Sequence, residues 1–339
     1  MVVPDPQPQK AVNLPDGLDA RYRQLIARVE EQLHQATQYN DPQAQLYARH
    51  LLAAGGKRLR PLLTLLAAEF GDPSRPAVQD AAVGVELIHL ASLYHDDVMD
   101  SAVLRRGAAS AHTLWGNHAA ILTGDLLFAR ASLILADLGA EAVRIQAQTF
   151  ERLCLGQLRE SIGPAPGDSP VEFYLRVLRD KTASLIATAA RYGAMFAGTP
   201  DEVVRAVTAY GEQLGIAFQL ADDVLDLSAE VELLGKTPGT DLRERVLTMP
   251  VLLLQERVAS GAGTAADAAV LAALAGDLSD DAALAAAVMQ LQDSDVLAAT
   301  SALAANYAQA AADELAGLPD SPAKAALQLL AHAAVNRAA

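Results

Sequence analysis

Two acidic clusters of the same form lie far apart in the chain, and each interrupts a long apolar segment that is typical of a buried helix. They are Asp96-Asp97-Val98-Met99-Asp100 and Asp222-Asp223-Val224-Leu225-Asp226. A buried carboxylate is costly unless a positive charge meets it, so the fold must bring cations to both clusters. Within each cluster the first and last aspartates are four residues apart, about 40° around a helix, and therefore share a face.

The second cluster is part of a single polar stripe on a helix that is otherwise apolar. The stripe is formed by Gln219, Asp222, Asp223 and Asp226, and His89, Ser92, Asp96 and Asp100 repeat it in the first helix. The apolar surface is too wide for an ordinary amphipathic helix, so we expect both stripes to face an internal cavity. Two such faces turned towards each other would offer oxygen ligands to Mg²⁺, which combines a few carboxylates with waters and substrate phosphates. The alternative is two acidic faces exposed to solvent.

Composition favours an all-α protein. The chain has 339 residues, 52% of them hydrophobic and only 4% aromatic, and alternation typical of strands is hard to find. This length can bury a large core as one helical domain or two smaller ones. We predict a proline-rich flexible tail over residues 1–16 and a single domain over residues 17–339. Cys154, the only cysteine in the sequence, is expected to be a small core residue.

Charge and hydropathy limit the partners. The net charge of −15 disfavours binding to nucleic acid, because an acidic surface repels phosphate backbones. A signal peptide is not indicated, and no uncharged run of 18 apolar residues predicts a membrane span. We therefore expect a soluble, cytoplasmic protein with no stable membrane insertion.

Basic residues nevertheless cluster at a few points of this acidic chain. Gly55-Gly56-Lys57-Arg58-Leu59-Arg60-Pro61 places three cations beside a helix start, where free N–H groups also favour anions. Arg105-Arg106 follow the first acidic cluster, and Lys181-Thr182 and Gly235-Lys236 add cations near predicted helix ends. Together with Mg²⁺ ligands, these residues indicate binding of a phosphorylated substrate.

The ordered series of motifs resembles the trans-isoprenyl diphosphate synthases, or polyprenyl synthetases, from about Lys57 to Pro250. The resemblance is carried by Gly-Gly-Lys-Arg-Leu-Arg-Pro, by His-Asp-Asp-Val-Met-Asp with Arg-Arg-Gly, and by Lys-Thr. Phe-Gln-Leu-Ala-Asp-Asp at 218–223 and Gly-Lys-Thr-Pro-Gly-Thr-Asp-Leu at 235–242 complete it. The resemblance implies a helical bundle around a deep central cavity, usually a homodimer, that joins isopentenyl diphosphate to an allylic diphosphate.

The resemblance also implies a role for each motif residue. Asp96, Asp100 and Asp222 would ligate three Mg²⁺ around the allylic diphosphate, with Asp97, Asp223 and Asp226 as further ligands or as partners of the ligands. Arg105, Lys181, Thr182, Gln219 and Lys236 would hold the same diphosphate. Lys57, Arg60, His89 and Arg106 would hold the diphosphate of isopentenyl diphosphate. The loop at residues 234–246 is a plausible lid.

Product length is expected to depend on the helix that carries Asp96. Ala91 and Ser92 are small where family members with short products have bulky residues, and the first large residue on that line, Ile88, lies about 12 Å from Asp96. We therefore expect a long product, roughly thirty carbons or more as the resemblance implies. A residue of another helix, such as Leu122 or Phe128, could still close the tunnel and give a farnesyl or geranylgeranyl product.

Two departures and two rival functions are left open by the sequence. Ala109 stands where the family often has proline, and Arg245-Val246 stand where many members have Gly-Lys; Arg245 could replace the charge of that lysine. A class I terpene cyclase also ionises an allylic diphosphate, but does not need the Lys57–Arg60 and Arg106 site for a second diphosphate. A non-catalytic partner subunit tends to lose motif aspartates or arginines, which this chain retains.

Overall fold

The computed structural model describes residues 19–228 and 238–336, and confirms the all-α expectation for them. The helices of the N-terminal half are α1 (Asp19–Ala36), α2 (Pro42–Ala53), α3 (Leu59–Ala68), α4 (Pro76–Met99), α5 (Ala111–Trp115), α6 (Asn117–Asp137) and α7 (Ala140–Ile162). Strands β1 (Leu104–Arg105) and β2 (Ala108–Ala109) form one short antiparallel hairpin.

The C-terminal half continues as helices. They are α8 (Pro170–Leu178), a π-helical segment (Arg179–Ala183), α9 (Ser184–Phe196), α10 (Asp201–Ser228), α11 (Thr240–Arg243), α12 (Met249–Ala259), α13 (Ala265–Leu274), α14 (Asp281–Gln292), α15 (Val296–Glu314) and α16 (Pro322–Val335). The π-helical segment, which the sequence did not indicate, carries Lys181 and Thr182.

Helix starts follow local chemistry. Asp41 caps α2 by accepting hydrogen bonds from the N–H groups of Gln43 and Ala44 at 2.8 and 3.1 Å, and Pro42 fills the first helical position. Ser169 and Pro170 begin α8 in the same way. These caps satisfy N–H groups that have no partner within the helix, so they fix where the site-bearing helices begin.

The chain divides into two compact units. The first comprises the chain to Phe150 together with Leu185–Thr208 and Leu318–Leu327, and the second comprises Glu151–Ser184, Ala209–Gly317 and Gln328–Ala339. The first unit contains the Asp96 cluster and the Lys57–Arg60 segment, and the second contains the Asp222 cluster and Lys181-Thr182. The single domain expected from the sequence stays a prediction.

The core of the first unit is built on α3 and α4. Side chains such as Leu63, Leu66, Leu87 and Leu90 have no exposed surface. Gly193 of α9 lies against α3 so closely that a Cβ atom there would lie 2.0 Å from the Thr64 carbonyl oxygen. This glycine therefore permits close packing that buries α3 and holds the chain just before it, which bears Lys57.

The α4 and α6 helices of the first unit run antiparallel in close contact. A Cβ on Gly124 would lie 2.3 Å from the His95 ring, and one on Gly84 would lie 2.9 Å from Leu135. This pairing places Phe128 of α6 at about the level of Ala91 on α4. Helix α6 is also long and apolar enough to cross a membrane by length and composition alone, with 33% of its most apolar window buried.

Candidate active site

The first acidic cluster occupies the last turn of α4. Asp97 is fully buried, Asp96 is half-buried and Asp100, which directly follows the helix, is exposed. The Asp100 N–H donates to the Asp96 carbonyl at 2.8 Å, so the helical spacing between the two extends to Asp100. Asp96 and Asp100 therefore remain accessible to a cation, while Asp97 points into the protein.

Asp97 is held by an arginine that was expected to bind substrate. The Arg105 Nε donates to Asp97 Oδ1 at 2.6 Å, and the buried Oδ2 has no hydrogen-bond partner within the described residues. Burial raises the pKa of the Asp97 carboxyl, and the charge of Arg105 opposes that rise. The β1–β2 turn, with positive φ at Arg106 and Gly107, positions Arg105 for this contact.

A cationic cluster surrounds His89 in the same unit. The Arg106 guanidinium donates to the carbonyl oxygens of Leu51, at 3.3 Å, and Gly55, while the buried Nε of Arg60 has no hydrogen-bond partner among residues 19–228 and 238–336. Burial lowers the pKa of Arg60 to about 10. Burial and the nearby arginines hold the pKa of His89 well below its usual value, so its ring is neutral near pH 7. The cluster is suited to binding an anion.

Arg58, the middle cation of the Lys57–Arg60 segment, is used within the protein. It is 4% exposed, and its guanidinium pairs with Glu30 of α1 and with Glu86 of α4, the latter at 2.9 Å. It also adopts the left-handed conformation, with φ of 47°, immediately before α3. Arg58 therefore anchors the turn between Lys57, which is exposed, and Arg60.

The second acidic cluster lies on α10 in the other unit. Asp223 is 1% exposed, whereas Gln219, Asp222 and Asp226 are half-buried. The Asp223 carboxyl accepts hydrogen bonds from the Tyr174 hydroxyl, at 2.9 and 3.1 Å, and from the Met249 N–H at 3.2 Å. Burial raises the pKa of Asp223 to about 8. Asp222 and Asp226 are therefore the more accessible carboxylates of this cluster.

Lys181 and Thr182 project from the π-helical segment of the second unit. Lys181 forms an ion pair with Glu160 of α7, and the Thr182 hydroxyl donates to Gln219 Oε1 at 3.3 Å. Gly156 lies so near that a Cβ there would be 2.5 Å from the Lys181 backbone nitrogen. The structure thus joins Thr182 with Gln219, and it pairs Lys181 with Glu160. Lys236, predicted to act with them, lies outside the described residues.

Two residues near Lys181 were missed by the sequence reasoning. Glu160 pairs with Lys181, and the buried Oε1 of Gln157 has no hydrogen-bond partner in the described part of the chain. The available signal was Gly156 within α7, because a glycine inside a helix often marks the close approach of another backbone. An amide oxygen accepts hydrogen bonds, so Gln157 Oε1 suits a water bound to a metal ion and does not suit a diphosphate oxygen.

The accessible carboxylates of the two acidic clusters are the candidate metal ligands. Over residues 19–228 and 238–336, no group of three or more His, Cys, Asp or Glu side chains is arranged to hold a metal ion. The accessible oxygens of Asp96, Asp100, Asp222 and Asp226 fit Mg²⁺, which binds few carboxylates and completes its shell with water and phosphate oxygens. The donor chemistry therefore suits a metal that arrives with a diphosphate.

Cys154 and Arg245 lie in surroundings that the sequence did not indicate. Cys154 is exposed on α7, so its assignment to the core was wrong, because the helix face that carries it lies at the surface. Arg245 donates to the carbonyl oxygens of Gly276, at 2.7 Å, and Leu274, at 3.5 Å, near the end of α13. Its guanidinium is thus engaged at a helix C-terminus, where a cation is favourable.

The candidate length-determining residues lie in the first unit. Ala91 and Ile88 are each 1% exposed, and Ser92 is half-buried with its hydroxyl donating to the His89 carbonyl at 2.9 Å. Leu122 is 61% exposed and so lies on an outer face of α6. Phe128 packs on Phe150, with ring centroids 4.2 Å apart, at about the level of Ala91. Of the two proposed closing residues, Phe128 is the better placed.

Comparison with known proteins agrees with the motifs. The polyprenyl synthetase family model matches residues 41–291. The nonaprenyl diphosphate synthase of Mycobacterium tuberculosis is 45% identical over 320 residues, which cover 94% of each chain. The geranylgeranyl pyrophosphate synthase of Corynebacterium glutamicum, solved with calcium and isoprenyl diphosphate, is 41% identical with a TM-score of 0.85, covering 96% of this chain and 99% of that one. A decaprenyl diphosphate synthase from Rhodobacter capsulatus is 35% identical with a TM-score of 0.85 over the same shares. This chain belongs to the polyprenyl synthetase family of prenyltransferases.

Proposed function

We propose that the protein condenses isopentenyl diphosphate with an allylic diphosphate, with Mg²⁺, to give a long all-trans polyprenyl diphosphate. The observation that carries this proposal is the cationic cluster of the first unit. Arg60 and Arg106 surround a neutral His89, and the buried Nε of Arg60 has no partner in the described part of the chain, so the cluster can receive a diphosphate. A terpene cyclase, which ionises one diphosphate, has no need of a second site.

The two acidic clusters would act on the allylic diphosphate. In this proposal Asp96, Asp100 and Asp222 ligate three Mg²⁺, with Asp226 as a further ligand. Lys181, Thr182, Gln219 and Lys236 hold the same diphosphate, and Lys181 must then leave Glu160 for the substrate. Bound Mg²⁺ would stabilise the negative charge that develops on the diphosphate as the allylic C–O bond breaks.

Arg105 and Asp97 have a linked role in this proposal. Arg105 Nε is committed to Asp97, but its terminal nitrogens remain as donors for the allylic diphosphate. A guanidinium fixed at Nε loses little freedom when it binds phosphate oxygens, so the buried Asp97 prepares Arg105 for the substrate.

The formation of the new C–C bond depends on an apolar pocket and does not require a base from the protein. The double bond of isopentenyl diphosphate attacks the allylic cation, a C–C bond forms, and the proton that is lost passes to the departing diphosphate. Apolar walls must exclude water, which would otherwise capture the cation. The neutral His89 suits this chemistry, because it can donate a hydrogen bond to a diphosphate but has no imidazolium proton to give to the substrate double bond.

Product length follows from the helix that carries Asp96. Because Ala91 and Ser92 are small, the growing chain would pass below Asp96 for about two turns of α4, and Phe128 on the antiparallel α6 is the candidate floor. We therefore propose a chain of roughly thirty carbons or more, consistent with the nonaprenyl and decaprenyl synthases among the relatives. The relatives also include a geranylgeranyl pyrophosphate synthase, and mass spectrometry of the product distinguishes the two lengths.

We further propose a cytoplasmic homodimer in which α6 packs on a second copy. This helix exposes several large apolar side chains along one side, namely Ile121 (40%), Leu122 (61%), Leu126 (38%) and Leu133 (62%). A second copy would bury such a row, whose exposure in a monomer would be unfavourable. Sedimentation of the wild type and of Leu122→Glu measures this directly: the wild type should be a dimer and the variant a monomer.

The decisive experiment supplies purified protein with isopentenyl diphosphate, an allylic primer and Mg²⁺, and identifies the product by mass spectrometry. A linear polyprenyl diphosphate is expected. A cyclic hydrocarbon would identify a cyclase, and no turnover with any primer would identify a partner subunit. Omission of Mg²⁺ is the control, and it should abolish turnover.

A further inference from the structure

Tyr174 connects three helices of the second unit through the carboxyl group of Asp223. Its hydroxyl, on α8, lies 2.9 Å from Oδ2 and 3.1 Å from Oδ1 of Asp223 on α10. The same carboxyl accepts the Met249 N–H at the start of α12. Asp223 is 1% exposed, so these contacts lie within the protein and away from solvent.

A second contact joins the same two elements further along. The chain that carries Tyr174 continues into the π-helical segment, where Thr182 donates to Gln219 of α10. Tyr174 pairs with Asp223 and Thr182 pairs with Gln219, so the two elements run antiparallel. Next to this pair, a Cβ on Gly215 would lie 2.4 Å from the Ala183 Cα, which shows how closely the backbones approach.

The Tyr174–Asp223 and Thr182–Gln219 hydrogen bonds determine how α10 is rotated about its own axis. Asp222 and Asp226 lie about 100° and 60° around the helix from Asp223, at 100° per residue. Holding Asp223 against Tyr174 therefore turns Asp222 and Asp226 towards a different side, where both are half-buried. Without the hydroxyl, Asp223 would keep only the backbone donor of Met249, and α10 could rotate or shift.

We propose that Tyr174 is a positioning residue for metal binding: it fixes Asp223 as a structural anchor so that Asp222 and Asp226 present their oxygens to Mg²⁺. This inference rests on the proposed function, because it assigns the metal to that reaction. In this role Asp223 orients the metal ligands without binding the metal itself, just as the buried Asp97 orients Arg105 in the first unit. The sequence left open whether Asp223 is a ligand or a partner of the ligands.

The test is the Mg²⁺ dependence of Tyr174→Phe, which keeps the ring and removes only the hydroxyl. We expect the Mg²⁺ concentration for half-maximal rate to rise about three- to tenfold, the change expected from losing one buried hydrogen bond. The KM for isopentenyl diphosphate should stay within about twofold of the wild type, because the residues that bind it belong to the other unit.

Tyr192→Phe is the matched control. The Tyr192 hydroxyl is also buried and donates one hydrogen bond, to the Ala142 carbonyl at 2.7 Å, in the first unit. It should lower thermal stability by an amount similar to Tyr174→Phe and leave the Mg²⁺ dependence unchanged. The assays are run at low temperature, and circular dichroism confirms that each variant is folded. A change in the Mg²⁺ dependence then reports metal affinity and not unfolding.

The outcomes separate the two proposals. A raised Mg²⁺ requirement in Tyr174→Phe alone supports the positioning role. An unchanged requirement, or the same change in Tyr192→Phe, overturns it while leaving the prenyltransferase intact. Wild-type protein that gives no product with any primer would instead overturn the proposed function. Mn²⁺ binding, measured by electron paramagnetic resonance, should weaken in Tyr174→Phe and stay at the wild-type value in Tyr192→Phe. If Tyr174→Phe does not fold, Mn²⁺ binding is measured on Asp223→Asn, whose amide oxygen can still accept the Tyr174 hydroxyl. Affinity close to that of the wild type then supports Asp223 as an anchor, and a loss of about tenfold, as expected for a metal ligand, overturns the proposal.

Discussion

Replacing Arg58 by methionine should lower the free energy of unfolding more than the loss of a surface ion pair would. Arg58 and Glu86 have side chains only 3% and 2% exposed, and Arg58 also pairs with Glu30. Methionine would leave a buried Glu86 carboxylate whose Oε2 already has no hydrogen-bond partner. Breaking a buried pair by removing one member costs about 3–5 kcal/mol. At about 2–4 °C per kcal/mol for a unit of this size, Tm should fall by roughly 6–20 °C.

The assay is urea denaturation followed by circular dichroism, with Arg144→Met as the control. Arg144 pairs with Glu141 at 3.2 Å on α7, but the two side chains are 66% and 48% exposed, so its loss should cost less than about 1 kcal/mol. In turnover assays Arg58→Met should also raise the KM for isopentenyl diphosphate, because the anchored turn lies between Lys57 and Arg60. A free energy of unfolding within about 1 kcal/mol of the wild type would refute this reasoning.

Two further predictions concern product length and pH. Ala91→Phe should shorten the product without abolishing turnover, because a ring would fill the predicted path of the chain below Asp96. Phe128→Ala should lengthen the product. If mass spectrometry finds both products unchanged, the growing chain does not follow this path. Burial raises the pKa of Asp223 to about 8 in the folded protein, so its neutral form stabilises the fold at low pH and that contribution is lost as pH rises towards 8. The metal-free wild type should therefore lose stability relative to Asp223→Asn between about pH 5 and 8, and parallel curves by urea denaturation would contradict this.

Local pattern was sufficient to predict the helices that carry the site. The apolar segments around the two acidic clusters predicted buried helices, and the structure places the clusters at α4 and α10; α4 begins at Pro76, where a proline is tolerated. Of the polar stripe predicted on α10, Gln219, Asp222 and Asp226 are half-buried in the structure, whereas Asp223 is fully buried. The helix positions of the two clusters follow from the local pattern alone.

The partner of each charged residue could not be predicted in the same way. Asp97 binds Arg105, Asp223 binds Tyr174, and Arg58 binds Glu30 and Glu86. In the sequence, Asp97, Asp223 and Arg58 look equivalent to the other members of their clusters. Which member turns inward depends on contacts that lie 8 to 49 residues away along the chain. The exposure of Cys154 and the π-helical segment depend on packing for the same reason.

The central claim is that both acidic clusters bind one metal–diphosphate group, although they belong to different units of the chain. A crystal structure with Mn²⁺ in place of Mg²⁺ and an unreactive thiodiphosphate analogue of the allylic substrate tests it most directly, because Mn²⁺ is located by its anomalous scattering. The account predicts metal ions that contact the same diphosphate and are ligated by Asp96 and Asp100 on one side and by Asp222 on the other. A diphosphate whose metal ions contact only one of the two clusters would contradict it.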